Sequence, residues 1–160
     1  FALSDADNFY ASCKTVFRPD LCGKPIVVIS NNDGCVIATA RSRKRWASKW
    51  VIPLFKNERY FRECGVIVFS SNYVLYGGMS QRMMSILGEM VFDQGIYSID
   101  ESFFDMTDVA SYMPLEVWPS DEKSRQDEEG LTIGVGFGPT KTLAMLANHT
   151  AKKWTQQMAW

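Results

Sequence analysis

This chain predicts an α+β fold, a mixed or antiparallel sheet flanked by helices. Three observations carry that expectation. Short β-branched runs recur between longer segments of helical period. Turn-forming residues join some of those runs into hairpins. No internal repeat or low-complexity tract interrupts the pattern. The 160 residues are 46% hydrophobic and 22% charged, enough to bury a core and too apolar for wholesale disorder.

The elements follow in order. Residues 1–7 read as a strand, apolar and then acidic. Residues 8–16 read as a helix with Phe9 and Cys13 on one face and Tyr10 turned away, and Pro19 lies just beyond its end. Residues 25–30 (PIVVIS) and 35–39 are strands joined across Asn31-Asn32-Asp33-Gly34, a strong turn signal. Residues 41–50 are basic and read as a helix that Pro53 terminates. Residues 66–69 form a short strand. From 72 to 90, Tyr73, Tyr76, Met79, Met83, Ile86, Leu87 and Met90 recur at three- and four-residue steps, an amphipathic helix weakened by Gly77-Gly78. Residues 96–99 and 103–106 read as strands around Asp100-Glu101. Residues 131–137 form a strand and 140–154 a helix. Residues 113–130 hold Pro114, Pro119 and PSDEKSRQDEEG with no apolar stripe, so they read as a loop or a frayed, solvated helix.

Charge is sorted into blocks behind a net value of -1. Residues 41–56 carry Arg41, Arg43, Lys44, Arg45, Lys49 and Lys56 and no acid. Residues 97–130 carry ten acids against Lys123 and Arg125, and residues 131–160 only Lys141, Lys152 and Lys153. Such sorting suits a polyanion in one place and a cation in another, although each block alone reads as a solvated face. No apolar run is long enough to cross a membrane, and FALSDADNFY has no basic n-region and carries two early aspartates, so it is not read as a signal peptide. Cys13, Cys22, Cys35 and Cys64 are widely spaced and fit reduced thiols in a cytoplasmic protein.

Four features could carry chemistry. Asp5 and Asp7 end the opening strand. Asp100-Glu101 sits inside the apolar run YSIDESFF. Acids grouped in apolar sequence repel one another unless a cation joins them, and a hard cation such as Mg²⁺ suits them. Neighbouring strand residues face opposite ways, so two acids serving one site need a turn or bulge between them. The segment alone reads equally well as a hairpin turn. Third, GVGFGPTKT leads a glycine-rich strand into a helix with Lys141 in its first turn, a hint of phosphate. It is no Walker A loop, and glycines for close packing are the simpler reading. Fourth, Arg41–Lys49 interleaves basic residues with Trp46 and Trp50, which suits phosphates, while the indoles read as core. His149, the one histidine, reads as structural, so Ser/His/Asp or Cys/His catalysis finds no support.

Taken together, DADNFYASCKTVF, GKPIVVISNNDGCVIA, FSSNYVLYGGM, YSIDESFFDMT and residues 134–153, in that order, resemble the Y-family translesion DNA polymerases, and within them the UmuC type of DNA polymerase V. The resemblance implies a ferredoxin-like palm from residues 1–9 and 70–160 and small fingers from residues 10–69, with thumb and little finger absent from this chain. It implies Asp5, Asp100 and Glu101 as carboxylates holding two Mg²⁺ ions, with the Ala6 carbonyl lent to one. Tyr10 would be the steric gate against ribonucleotides, Phe9 would pack near the nucleotide, and Lys44 and Lys141 would bind it, with Arg41 nearby. Asp7 and Asp105 would be supporting acids. The implied activity is transfer of a deoxynucleotide to a primer 3′-hydroxyl in SOS-type DNA damage tolerance. The implied partners are primer–template DNA, dNTP, UmuD′-type accessory subunits and a recombinase filament. Ala47 and Val51 replace the family's usual glycines, and Met145 stands where relatives often carry lysine. A nucleotide cyclase shares this layout, but Tyr10 argues against it. A non-catalytic interaction module derived from such a polymerase is the other alternative.

Overall fold

The computed structural model describes residues 1–39, 53–89, 93–107 and 131–158, with side chains described as far as Lys153. The expected helix over 41–50, Arg41, Lys44, Trp46, Trp50, Met90 and the acidic stretch 113–130 lie outside the described residues. The chain divides into two compact units, Asn8–Tyr76 and the pair Phe1–Asp7 with Gly77–Trp160.

The discontinuous unit is built on one antiparallel sheet of β1 (Ala2–Ala6), β5 (Gln94–Ile96), β6 (Glu101–Phe104) and β7 (Ile133–Phe137). The spatial order β5-β6-β1-β7 places the first strand in the interior, the ferredoxin-like arrangement expected from the sequence. Ala2, Leu3, Ser4 and Ala6 of β1 are all buried, as a central strand covered on both faces requires. Leu3 packs with Phe103 of β6 and Ala144 of α4 (Lys141–Met158). The helix α3 (Tyr73–Glu89) buries Tyr76, Met79, Met83 and Leu87, the three- and four-residue stripe of its sequence. The boundary between the units falls inside α3, at Tyr76–Gly77.

Close packing of α4 on β7 explains the alternating glycines. A Cβ added to Gly136 would fall inside contact distance of the Ala144 carbonyl and the Asn148 backbone nitrogen, and one on Gly138 would lie 2.5 Å from the Ala144 nitrogen. Two strand residues advance about 6.6 Å and four helix residues about 6 Å. Gly138, Gly136 and Gly134 therefore stay in step with Ala144, Asn148 and Lys152 along the helix. Thr140 starts α4, its hydroxyl accepting from the Leu143 amide at 3.3 Å.

The Asn8–Tyr76 unit holds α1 (Phe9–Phe17), β2 (Ile26–Ile29), β3 (Val36–Thr39), α2 (Leu54–Glu63) and β4 (Ile67–Ser70). Its sheet runs β3-β2-β4, antiparallel on one side of β2 and parallel on the other. The hairpin turn is the one expected. Gly34 takes φ +63°, the Cys35 amide donates to Asp33 Oδ1 at 3.0 Å, and the Ser30 amide to the Cys35 carbonyl at 2.8 Å. Val27, Val36 and Phe61 form the core of this unit with Leu54 and Val68 against it.

Two expectations and one omission need correction. The strand expected at 96–99 is β5 at Gln94–Ile96, because residues 98–100 form a bend. The helix α2 carried no expectation. Phe61 is its one buried residue, with Leu54 partly buried beside it. His149 is exposed on α4 and takes no structural part in the core.

Candidate active site

Antiparallel pairing alone brings two of the expected carboxylates together. Asp5 of β1 stands directly opposite Glu101 of β6 and, on its other side, opposite Gly134 of β7. Directly opposed residues of an antiparallel pair share a face, with Cβ atoms about 4.5–5.5 Å apart. Asp5 and Glu101 thus extend the face on which Leu3 and Phe103 pack. Asp7 follows two residues on, and its amide donates to the Thr132 carbonyl at 2.8 Å.

Asp100 reaches this end of the sheet through a turn, as its adjacency to Glu101 demanded. The Tyr97 and Ser98 amides both donate to the Glu101 carbonyl, at 3.0 and 3.1 Å, and the Ala6 amide to the Asp100 carbonyl at 3.0 Å. The Ser98 hydroxyl lies 2.8 Å from Asp100 Oδ1 and 3.2 Å from Glu101 Oε2, tying the two acids to one loop.

The electrostatics follow from burial among like charges. Burial pushes the Asp5 carboxyl above its ordinary value. The hydrogen bond and charge of Lys152 oppose the rise, and the Asp100 and Asp7 charges add to it. Burial likewise raises Glu101. The Asp5 charge adds to that rise, as does that of Asp100, while the Ser98 hydroxyl moderates it.

Lys152 answers this negative charge. Its Nζ stands 2.7 Å from Asp5 Oδ2, 3.0 Å from Asp7 Oδ1 and 3.1 Å from the Asp5 carbonyl oxygen. Gly134 makes the approach possible, since a Cβ there would lie 2.7 Å from both Lys152 Cε and Asn148 Oδ1. Asn148, 2% exposed, directs Nδ2 to Asp5 Oδ2 at 3.4 Å, and its Oδ1 has no hydrogen-bond partner among the described residues. Among the described residues no three acid, His or Cys side chains already converge as a metal site. The oxygens nonetheless hold one cation, the lysine ammonium, and they are the hard donors that suit Mg²⁺.

The other expected residues separate by unit. Lys141 lies at the Phe1 end of β1, its Nζ 5.3 Å from the Phe103 ring centroid and 5.8 Å from that of Phe1. Phe103 pairs with Leu3, two strand residues, about 7 Å, from Asp5. Asp105 receives the Thr107 amide at 2.9 Å and the Thr107 hydroxyl, which hold its carboxyl below its ordinary value. Ala6 is buried, 3% exposed. In the other unit Phe9 is buried and Tyr10 half-buried. Tyr10 stacks edge-on to Tyr76 with centroids 4.6 Å apart, and Phe9 lies 6.4 Å from the same ring. Tyr76 is fully buried with its hydroxyl unpartnered among the described residues, and burial raises that hydroxyl's pKa. Asn8, at φ 50°, starts α1 directly after Asp7, in the left-handed conformation that Asn tolerates best after Gly.

Sequence reasoning missed Ser98, Asn148 and Lys152 as parts of the site. The readable signal was the step of four from Ala144 to Asn148 to Lys152, matched to the step of two from Gly138 to Gly136 to Gly134.

The described residues contain no helix long and apolar enough to cross a membrane. Comparison with known proteins agrees with the expected resemblance. Protein UmuC of Salmonella typhimurium (strain LT2) is 52% identical over 158 residues, 98% of this chain and 37% of the relative. DNA polymerase IV of Corynebacterium diphtheriae is 32% identical, covering 92% of this chain and 34% of its own length. The chain thus spans little more than a third of these relatives. Among solved structures, a post-insertion binary complex of Dbh DNA polymerase superposes with TM-score 0.81 at 25% identity, over 93% of this chain and 45% of that one. DinB from Sulfolobus solfataricus gives TM-score 0.78 at 24% identity, with the same coverage, and speaks for the fold alone. The impB/mucB/samB family profile matches residues 4–149, and the chain belongs to that family, within the Y family its motifs resemble.

Proposed function

We propose that this chain is the catalytic part of a translesion DNA polymerase, transferring a deoxynucleotide to a primer 3′-hydroxyl. The observation that carries the reading is Asp5 opposed by Glu101 across two central strands, with Asp100 tied to Glu101 through Ser98. Asp5, Asp100 and Glu101 would hold two Mg²⁺ ions, with the Ala6 carbonyl as a further donor. Bound there, such ions activate the attacking oxygen and stabilise the leaving pyrophosphate.

The protein's own groups supply the rest. The raised carboxyls of Asp5 and Glu101 need a counter-charge to ionise together, so an empty site disfavours its own full negative charge. The turn at residues 98–100 fixes Asp100 beside Glu101 and limits reorganisation when a cation arrives. Of the lysines at residues 141 and 152, Lys152 is the one beside Asp5, so a polyphosphate brought to that carboxylate meets Lys152. Lys141 would bind the nucleotide from beside Phe103, whose partner Leu3 precedes Asp5 by two residues. Tyr10 would act as the steric gate, with Phe9 packed near the nucleotide and Lys44 supplying a further phosphate contact. The palm comprises residues 1–9 and 70–160 in this reading, and the fingers residues 10–69. Primer–template DNA and dNTP are the substrates, and UmuD′-type subunits and a recombinase filament the protein partners.

Single-nucleotide extension of a primed template tests the proposal, using the chain with thumb and little finger supplied. Extension that Asp100→Ala abolishes is expected. Absence of extension while DNA and nucleotide still bind would instead favour a non-catalytic interaction module.

A further inference from the structure

We propose that Lys152 is the resting counter-ion of the carboxylate site, a tethered ammonium that holds Asp5 and Asp7 until a divalent cation takes Asp5 and displaces it. The inference rests on the reading of Asp5 as a metal ligand. Three observations carry it.

The ammonium is fully committed. It has three N–H donors, and three oxygens surround it, two carboxylate and one backbone, at 2.7, 3.0 and 3.1 Å. The contact is sheltered, with side-chain exposures of 20% for Lys152, 24% for Asp5 and 12% for Asp7, so salt screens it less than a surface pair. The approach also depends on one glycine. Gly134 leaves open the space through which the Lys152 stem and the Asn148 amide pass to Asp5.

The consequence is an exchange of cations. A divalent ion on Asp5 Oδ2 and an ammonium on the same atom would stand within a few ångströms of each other, a repulsion that low-dielectric surroundings magnify. One must leave, and the lysine has four rotatable methylenes with which to do so. Lys152 is therefore a positioning residue. It holds Asp5 and Asp7 in place before the metal arrives, and metal affinity is weakened by the contact that must break.

The first test needs no variant. The purified protein is treated with an amine-acylating reagent with and without Mg²⁺, and acylation is read by mass spectrometry at Lys152 against exposed Lys153. Added Mg²⁺ is expected to raise modification at Lys152 several-fold and leave Lys153 unchanged. Lys152 equally shielded at saturating Mg²⁺ overturns the inference. The second test is Mn²⁺ titration of Lys152→Met and Lys152→Arg by calorimetry. The methionine variant should bind about tenfold tighter, equivalent to ~1.4 kcal/mol, and the arginine variant close to wild type. Unchanged or weaker binding by a folded methionine variant overturns the proposal. Mn²⁺ binding that survives both Asp5→Ala and Asp100→Ala would instead overturn the metal-site reading beneath it.

Discussion

Three alanine substitutions separate what the glycines of this chain do. At Gly136 a new Cβ meets the Ala144 carbonyl and the Asn148 backbone nitrogen, both main-chain atoms of α4. No rotamer change relieves that overlap, so helix and strand must part. Overpacking costs about 1–3 kcal/mol, and an immovable neighbour puts Gly136→Ala at the upper end. At about 2–4 °C per kcal/mol, the thermal midpoint should fall by roughly 6–12 °C. At Gly134 the new Cβ meets only side-chain atoms, Asn148 Oδ1 and Lys152 Cε, each at 2.7 Å. These move aside, so stability falls by only about 1 kcal/mol. The displaced Lys152 then loses its grip on Asp5, and its acylation should rise without any added metal. At Gly77, inside α3, nothing lies within 4 Å of the new Cβ, and helix propensity alone predicts a gain of about 0.8–1 kcal/mol. Urea denaturation followed by far-UV circular dichroism reads all three. A Gly136→Ala loss no larger than that of Gly134→Ala would refute the packing argument, because it would mean α4 is free to retreat from β7.

Three other measurements bear on the site and its support. Asp5 and Glu101 both have raised carboxyl pKa values, chiefly from burial, so the folded state holds their protons more tightly than the unfolded chain does. Their stabilising contribution is complete below the ordinary values of 3.8 and 4.5 and is lost as pH climbs through the raised folded values. Without metal, Glu101→Gln should gain stability relative to wild type as pH rises from about 4 to 7, and parallel pH curves would contradict it. Phe104, fully buried on β6, should cost about 3–5 kcal/mol when cut to alanine, read by chemical denaturation, with a loss below 1 kcal/mol excluding its place in the core. In the proposed reaction, with thumb and little finger supplied, Tyr10→Ala should allow ribonucleotides beside deoxynucleotides in primer extension, and unchanged discrimination would remove the steric-gate assignment.

Local signals in the sequence mapped onto the fold wherever one residue type had one job. Asn31–Gly34 is a turn because Asp33 accepts the Cys35 amide and Gly34 takes positive φ, and both facts are visible as letters. The stripe from Tyr76 to Leu87 is a helix face because burial there recurs with helical period. The helix α2 was hidden for the opposite reason. Its apolar residues do not share one buried face: Phe61 is buried and Leu54 packs beside it, while Phe55 and Tyr60 are exposed, and the pairs Arg59 with Glu63 and Arg62 with Glu58 line the outside. The start of β5 was misplaced because Tyr97, Ser98 and Ile99 have strand-like character while Ser98 serves as the clasp of a bend.

The site was half legible, and the missing half is the cationic one. Acids inside apolar sequence stand out because their burial is costly, so Asp5, Asp7 and the Asp100-Glu101 pair drew attention as letters, and the resemblance narrowed them to Asp5, Asp100 and Glu101. A lysine inside a helix does not stand out, because an exposed Lys there is an ordinary helix former. Lys141 drew attention for the reverse reason, a cation at a helix start, and its partners are the rings of Phe103 and Phe1. What marks Lys152 is a relation between two elements: a glycine strand and a helix stripe that advance by nearly equal steps. Gly134 faces Asp5 on one side of β7's register and yields to Lys152 on the other. One missing side chain therefore connects the anionic end of β1 to the last cation of the stripe. A substitution at Gly134 should disturb the carboxylate site without touching any carboxylate.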